Sequence, residues 1–256
     1  MISGSKSQRA VFELRDVTVD FGSVSGPVLQ CLNAEIPAGQ FLSIVGPSGC
    51  GKSTLLRLLA GLQPHSSGQL LRGDSADNRV PPGFVFQQPA LLPWRTVLAN
   101  LRLPCELGGS RTAVPSESEL LQLLQQVGLS GEDIRKRPAE LSGGMQMRLS
   151  LARALVHRPG ILLLDEPFAA VDDLLRMKLQ ELVRNLHDAR GLTTILVTHN
   201  LQEAALLSDR ILVLQPAPAG LVCDLPSGRV ADHTTWRMSA EVIEIQHQLT
   251  KALLTQ

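Results

Sequence analysis

The chain has 256 residues, 44% hydrophobic and 19% charged, which suits one domain, or a domain with a subdomain, whose core needs no disulfide staples. Lys+Arg and Asp+Glu are both 24, so the net charge is zero, and nucleic acid is not expected as the main partner, since that needs a strong basic excess. Cys31, Cys50, Cys105 and Cys223 fit no zinc or disulfide spacing, the polar N-terminus carries no apolar signal core, and no run approaches the ~20 apolar residues of a membrane span.

Aromatics make up 3% and Tyr is absent, so Leu, Val, Ile and Ala must build the core. Residues 12–21 mix Val and Phe with polar residues and predict an early strand, and 22–27 form a Gly/Ser turn region. Residues 41–45 predict a short buried strand, followed at once by a Gly-rich turn and a helical run, 55–62, punctuated by Gly61 and Pro64. Residues 84–86 predict another short strand. From Leu91 to about Gly160 the chain is rich in Leu, Gln and Arg with a helical period; 120–127 and 146–156 are the clearest helices, and 108–115 a break. Residues 161–164 and 194–197 predict buried strands around the helical run 174–189, and 211–214 has the length of one more. Beyond Pro216 the tail is rich in Pro and Gly, then helical over 240–254, with Val242, Ile245, Leu249 and Leu253 as a stripe fit to pack on the body. Strand–helix alternation implies a mostly parallel α/β sheet with the helical block inserted between its strands.

The first chemical motif is Gly46-Pro47-Ser48-Gly49-Cys50-Gly51-Lys52-Ser53-Thr54, which fits G-x-x-x-x-G-K-[ST]. It lies between a predicted buried strand and a predicted helix, the context that pattern requires. Glycines let backbone N–H groups turn inward around phosphate oxygens, and the helix behind presents its positive end to the same anion. Lys52 then supplies a charge to the β- and γ-phosphates of ATP, and Ser53 a hydroxyl ligand to Mg2+. The second motif is Ile161-Leu162-Leu163-Leu164-Asp165-Glu166, an apolar strand ending in two acids. In open α/β sheets, ligands bind at the carboxyl ends of strands. Asp165 is expected to hold Mg2+, directly or through water, and Glu166 to polarise the attacking water as general base.

A third motif, Leu141-Ser142-Gly143-Gly144-Met145, opens the helix 146–156, and a small-residue turn at a helix start is again an anion site. One phosphate cradle is already present, and a generic P-loop enzyme has no use for a second. The segment resembles the signature motif of ABC transporter ATPases, which in that family clamps the γ-phosphate of ATP held by a second subunit. The resemblance covers roughly residues 12–214. It implies a P-loop NTPase (RecA-like) α/β core over approximately 11–87 and 161–220, an inserted helical subdomain over approximately 88–160, a small N-terminal antiparallel β region, and a tail with a helix over 221–256, all one ABC ATPase domain. Gln87, after Phe84-Val85-Phe86, resembles the lid glutamine that contacts Mg2+ and the attacking water. Asp172, in Ala169-Ala170-Val171-Asp172, resembles the loop that couples two sites across a dimer, with Val171 where Leu is usual; it is equally fit to cap the helix 174–189. His199, in Val197-Thr198-His199-Asn200, resembles the switch histidine that senses γ-phosphate, with Asn200 replacing the commoner acid. Phe21 resembles the aromatic that stacks on adenine, and is equally fit to be core.

The same resemblance implies that a second copy of the chain, or a paralogous ATPase subunit, completes each ATP site. Pro89-Ala90-Leu91-Leu92-Pro93-Trp94-Arg95-Thr96-Val97 is similar to the region that receives a helix of a membrane-spanning permease, although apolar residues in a loop are often core. Its wording is most similar to the nitrate/sulfonate/taurine importer group. That implies a peripheral subunit on the cytoplasmic face of the inner membrane, powering import of a small solute through a separate permease, with a solute-binding protein as an indirect partner. The cargo pocket belongs to other polypeptides. The alternative is a soluble ABC-type ATPase uncoupled from transport; those acting on nucleic acid or ribosomes usually carry two ATPase modules or a coiled-coil insertion, and neither is expected here. A small-molecule kinase on the same loop would not need residues 141–145 or His199.

Overall fold

The computed structural model describes residues 10–22, 26–73, 80–107, 115–169, 171–216, 219–226 and 240–254. Residues 23–25 of the predicted turn, 108–114 of the predicted break, Ala170, and 217–218 and 227–239 of the tail lie outside them. In chain order the elements are β1 (Ala10–Val19), β2 (Leu29–Pro37), β3 (Phe41–Val45), α1 (Lys52–Leu59), β4 (Ser67–Arg72), β5 (Gly83–Val85), α2 (Val97–Leu107), α3 (Glu117–Gln126), α4 (Gly143–Leu155), β6 (Ile161–Asp165), α5 (Asp173–Arg190), β7 (Thr193–Val197), α6 (Leu201–Leu207), β8 (Arg210–Leu214), β9 (Leu221–Pro226) and α7 (Ala240–Leu254).

Two sheets result. One is antiparallel, in the order β2-β1-β4. The other runs β5-β6-β7-β3-β8-β9 and is parallel except for β9, which pairs antiparallel with β8. Every residue of β3, β6 and β7 is buried, which is why these strands are short continuous apolar runs without polar alternation. Alternation along them still matters, because it feeds two cores. Leu42, Ile44, Ile161, Leu163, Ile195 and Val197 join α1 and the antiparallel sheet. Phe41, Val45, Leu162, Leu164 and Leu196 point the other way, to α2 through α7. The tail stripe belongs to that second core through Val242, Ile245 and Leu249.

A buried cation ties the helical layer to the sheet. Arg184 of α5, 3% exposed, donates to the Leu207 carbonyl at 2.7 Å and to Asp209 at 3.3 Å, while Asp209 accepts the Phe41 N–H at 2.8 Å. Asp188 pairs with the same guanidinium at 3.2 Å, so the buried cation is balanced by two carboxylates. Several boundaries differ from the sequence expectation. The first strand stops at Val19 because the chain turns there, with Asp20 accepting the Gly22 N–H at 2.8 Å. The first helix starts at Lys52, directly on the glycine loop, and stops before the predicted end. β2, β4 and β9 carry no strong apolar run, and sequence periodicity does not reveal them.

Candidate functional site

The glycine loop joins the fully buried β3 to α1. Gly51 must adopt φ 97°, a left-handed conformation that only glycine takes freely, so that α1 can begin at Lys52. α1 starts without a side-chain cap bond, leaving its first N–H groups as donors facing the loop. Pro47, Ser48 and Gly49 form the exposed rim; Gly46 and Cys50 are buried beneath. Burial pushes the Cys50 thiol up, partly offset by Lys52, as for a packed thiol. Lys52 is the unusual residue. The residue is 6% exposed, yet its ammonium donates to two neutral oxygens, the Gly46 carbonyl at 2.9 Å and the Pro47 carbonyl at 2.8 Å, and forms no ion pair among the described residues. A buried cation held by carbonyls beside uncapped helix amides is a receptor for a polyanion.

Two strand ends complete the arrangement. Ser53 Oγ donates to Asp165 Oδ1 at 2.7 Å, joining the loop to the end of β6. Asp165 is 6% exposed; burial pushes its carboxyl above the usual carboxylate range, and the Ser53 hydroxyl and Arg57 draw it back. Beyond it the strand bends: Glu166 has φ 46°, with its N–H bonded to the Val197 carbonyl at 3.0 Å. That bend turns two neighbouring acids to different tasks. Asp165 meets the loop, and Glu166 Oε2 lies 3.0 Å from His199 Nδ1, at the end of β7. Because a carboxylate only accepts, this contact requires the hydrogen on Nδ1. His199 stays largely in solvent and Glu166 is one-fifth exposed. Asn200 next to it caps α6, accepting from the Gln202 N–H at 2.9 Å and the Glu203 N–H at 3.2 Å, a role Asn fills as well as the commoner acid. Ser53 and Asp165 supply two hard oxygen donors, the set a magnesium ion takes alongside phosphate oxygens. Among the described residues no group of three or more His, Cys, Asp or Glu is arranged to hold a metal ion by itself.

The remaining predicted residues lie at graded distance from this centre. Gln87 is exposed, two residues past Val85 at the end of β5, whose register partner on β6 is Leu164. Phe21 is 56% exposed, so the core alternative for it fails. Ser142 and Asp172 both act as N-caps, accepting from Met145 at 3.3 Å and Leu175 at 3.0 Å. The two helix starts touch: a Cβ on Gly144 would fall 2.4 Å from the end of the Leu175 side chain, which would have to move to admit it. No hydrogen bond among the described residues links residues 141–145 to the glycine loop. In the 89–97 loop, Trp94 is 68% exposed while Val97 is buried. Sequence reasoning missed what shapes that loop. Asn100, fully buried on α2, accepts the Leu92 N–H at 2.8 Å and donates to the Leu92, Arg95 and Thr96 carbonyls, each at 3.1 Å. Arg153 of α4 donates to the Pro89 and Ala90 carbonyls, both at 2.9 Å. A lone Asn in an apolar helical stretch was the available signal. A cavity of about 400 Å³ lined by residues of α3, α4 and α5 contains none of these residues.

Comparison with known proteins fits this geometry. The family model for ABC transporters matches residues 29–169. The aliphatic sulfonates import ATP-binding protein SsuB 3 of Pseudomonas savastanoi pv. phaseolicola is 44% identical over 221 residues, covering 84% of this chain and 79% of that protein. The aliphatic sulfonates import ATP-binding protein SsuB 1 of Rhizobium johnstonii is 42% identical, covering 90% and 82%. Among solved structures, the dimeric MJ0796, a bacterial ABC transporter cassette, superposes with a TM-score of 0.73 at 30% identity, covering 86% of this chain and all of that one. A post-hydrolysis state of that cassette, bound to ADP and Pi, matches equally.

Proposed function

This chain belongs to the ABC transporter family as an ATP-binding and ATP-hydrolysing subunit, and from that premise we propose that it powers import of a small sulfonate-like anion through a separate membrane permease. The observation that carries the site is the buried Lys52 ammonium, held by neutral carbonyls beside the uncapped start of α1. The cargo class rests on the names of the relatives, aliphatic sulfonates import ATP-binding proteins.

Residues 46–54 wrap the β- and γ-phosphates with backbone N–H groups, and Lys52 turns from the loop carbonyls to the phosphate charge. Phe21 stacks on the adenine, its ring being exposed and free to meet a base. Ser53, Asp165 and Gln87 would hold a magnesium ion, which would supply positive charge to offset that of the phosphates. Glu166 takes a proton from water as that water attacks the γ-phosphorus; the bond to the bridging oxygen breaks, and ADP and inorganic phosphate leave. His199, positioned by Glu166, faces the γ-phosphate and so reports its presence. Residues 142–144 of a second copy, or of a paralogous subunit, close the other side of the same ATP, and Asp172 lines the seam. ATP binds best to the closed pair and shifts the population toward it; its loss releases the pair. Trp94 and its loop seat a permease helix, which places the subunit peripherally on the cytoplasmic membrane face; among the described residues no helix is long and apolar enough to cross a membrane.

The test is ATP-driven pairing of E166Q, followed by light scattering with magnesium and ATP. The mass is expected to double. Adding Ser142→Glu to the same chain, which sets a carboxylate against the phosphate, should prevent doubling while ATP still binds. A chain that binds ATP and never pairs overturns the shared site.

A further inference from the structure

Behind the hydrolytic groups runs a buried polar chain to which the roles above give no task. Arg176 stands one turn into α5, its N–H bonded to the Asp172 carbonyl at 2.8 Å. Its guanidinium spans several partners at once. Nε donates to the Phe168 carbonyl at 3.3 Å and Nη2 to the Val171 carbonyl at 3.0 Å, both on the loop between Glu166 and Asp172. Nη1 pairs with Asp173 at 2.6 Å, and Nε lies 3.7 Å from Glu203 Oε1. Glu203 of α6 is 5% exposed, and its other oxygen accepts the Thr198 hydroxyl at 2.6 Å. Thr198 Oγ1 then accepts the Asn200 N–H at 3.0 Å. These anchors flank His199 on both sides.

A carboxylate buried to this degree is costly, and an apolar side chain would pack the same space without that cost. Burial pushes Glu203 above the usual carboxylate range, while Thr198, Arg176 and His199 draw it back. The planar fork of Arg176 serves two carbonyls and carboxylates together, which an ammonium cannot do.

We propose that Arg176 and Glu203 are positioning residues that lock the loop 168–172 to the turn 198–200, so that movement of Asp172 at the seam with a second copy is transmitted to His199 and Glu166. The proposal deepens the reading above and rests on it. The Arg176 end holds the loop backbone; the Glu203 end holds the turn that presents His199. Nothing in the chain of contacts touches the glycine loop, so nucleotide affinity is not its target.

The experiment measures kcat and KM for ATP on the full chain for R176K, E203Q, their double variant, T198V and T198S. In R176K, E203Q and T198V, kcat should fall about tenfold with KM within about twofold, because displacement of a supporting group costs rate without costing binding. T198S keeps the hydroxyl and should restore the wild-type rate. The double variant should be no slower than the slower single, since both residues act through one contact. Wild-type kcat in folded T198V and E203Q overturns the proposal, as do losses that multiply in the double variant. If R176K or E203Q fails to fold, the T198V and T198S pair decides alone: equal rates in those two variants overturn it. The underlying assignment is tested apart, by E166Q: full turnover in that variant refutes the base, whatever the other variants do.

Discussion

At the ends of β3, β6 and β7 the functional side chains touch one another: Ser53 meets Asp165 at 2.7 Å, and His199 meets Glu166 at 3.0 Å. At the starts of α4 and α5 they do not. There Ser142 and Asp172 each turn to their own helix, and the exposed Gly143 faces solvent. Both regions are helix N-termini with small residues and both are suited to anions. The difference is that α1 begins uncapped over a buried cation that has no ion pair among the described residues, whereas α4 and α5 begin capped, and Arg176, the cation in the first turn of α5, is already paired with Asp173. One region brings its candidate residues together within the chain. The other is a surface whose use depends on what is brought to it.

The comparison breaks hardest at the strand ends. Glu166→Gln keeps the side chain's shape and an acceptor for His199, but removes the base. Turnover should drop about 10²–10⁴-fold with ATP binding kept, measured by phosphate release and nucleotide binding. Wild-type turnover would refute Glu166 as the base. Asp165→Asn comes next, with a loss of more than about tenfold in magnesium-dependent turnover, because one hard oxygen ligand is weakened. Its stability should change in the opposite direction. The folded carboxyl titrates above its unfolded value, so the stabilisation it offers is present at acid pH and lost as pH rises through the folded value. The neutral amide of the variant does not titrate and would not incur that loss. Thermal melting should therefore show D165N gaining on the wild type as pH rises from acid to neutral; a gap independent of pH would contradict the burial of the charge.

The helix-start surface is sharpened by mixing two dead proteins. Copies with E166Q lack the base but keep the 141–145 turn; copies with Ser142→Glu keep the base but spoil the turn. In a mixed pair one site joins the intact base to the intact turn. Mixing equal amounts should restore about a quarter of wild-type turnover, from half the pairs being mixed and one site in two being live. Silence of the mixture would mean that the turn does not act across copies.

The residues at the strand ends were legible because their chemistry fixes their spacing. A phosphate cradle needs glycines, a lysine and a hydroxyl in one short run, and an apolar strand ending in two acids is rare by chance. The buried strands were legible from continuous apolar runs. What holds the site in shape was not. Arg153 reaches carbonyls of Pro89 and Ala90 from another helix, and Arg176 reaches carbonyls of Phe168 and Val171. Every residue offers a carbonyl, so such a partner leaves no mark on the sequence. Asn200 looked like a departure from the acid expected there, yet a helix cap asks only for a short side-chain oxygen. α6, with seven residues, and the half-exposed β2 are too short or too polar for periodicity to show.

The smallest effect on the isolated chain, and the one most specific to transport, belongs to Trp94. Its loop is fastened from below: Asn100 holds the Leu92, Arg95 and Thr96 backbone, and Arg153 holds Pro89 and Ala90. The ring itself is 68% exposed. A large apolar side chain held out in solvent by a rigid loop gains nothing for the fold and costs free energy in water, the pattern of a docking anchor. Trp94→Glu should therefore leave stability within about 0.5 kcal/mol, and ATP turnover of the purified chain unchanged. In membranes carrying the permease it should abolish solute uptake while ATP is still consumed. Uptake at the wild-type level, with the variant bound at the membrane, would remove Trp94 from the docking surface and leave its exposure without a purpose.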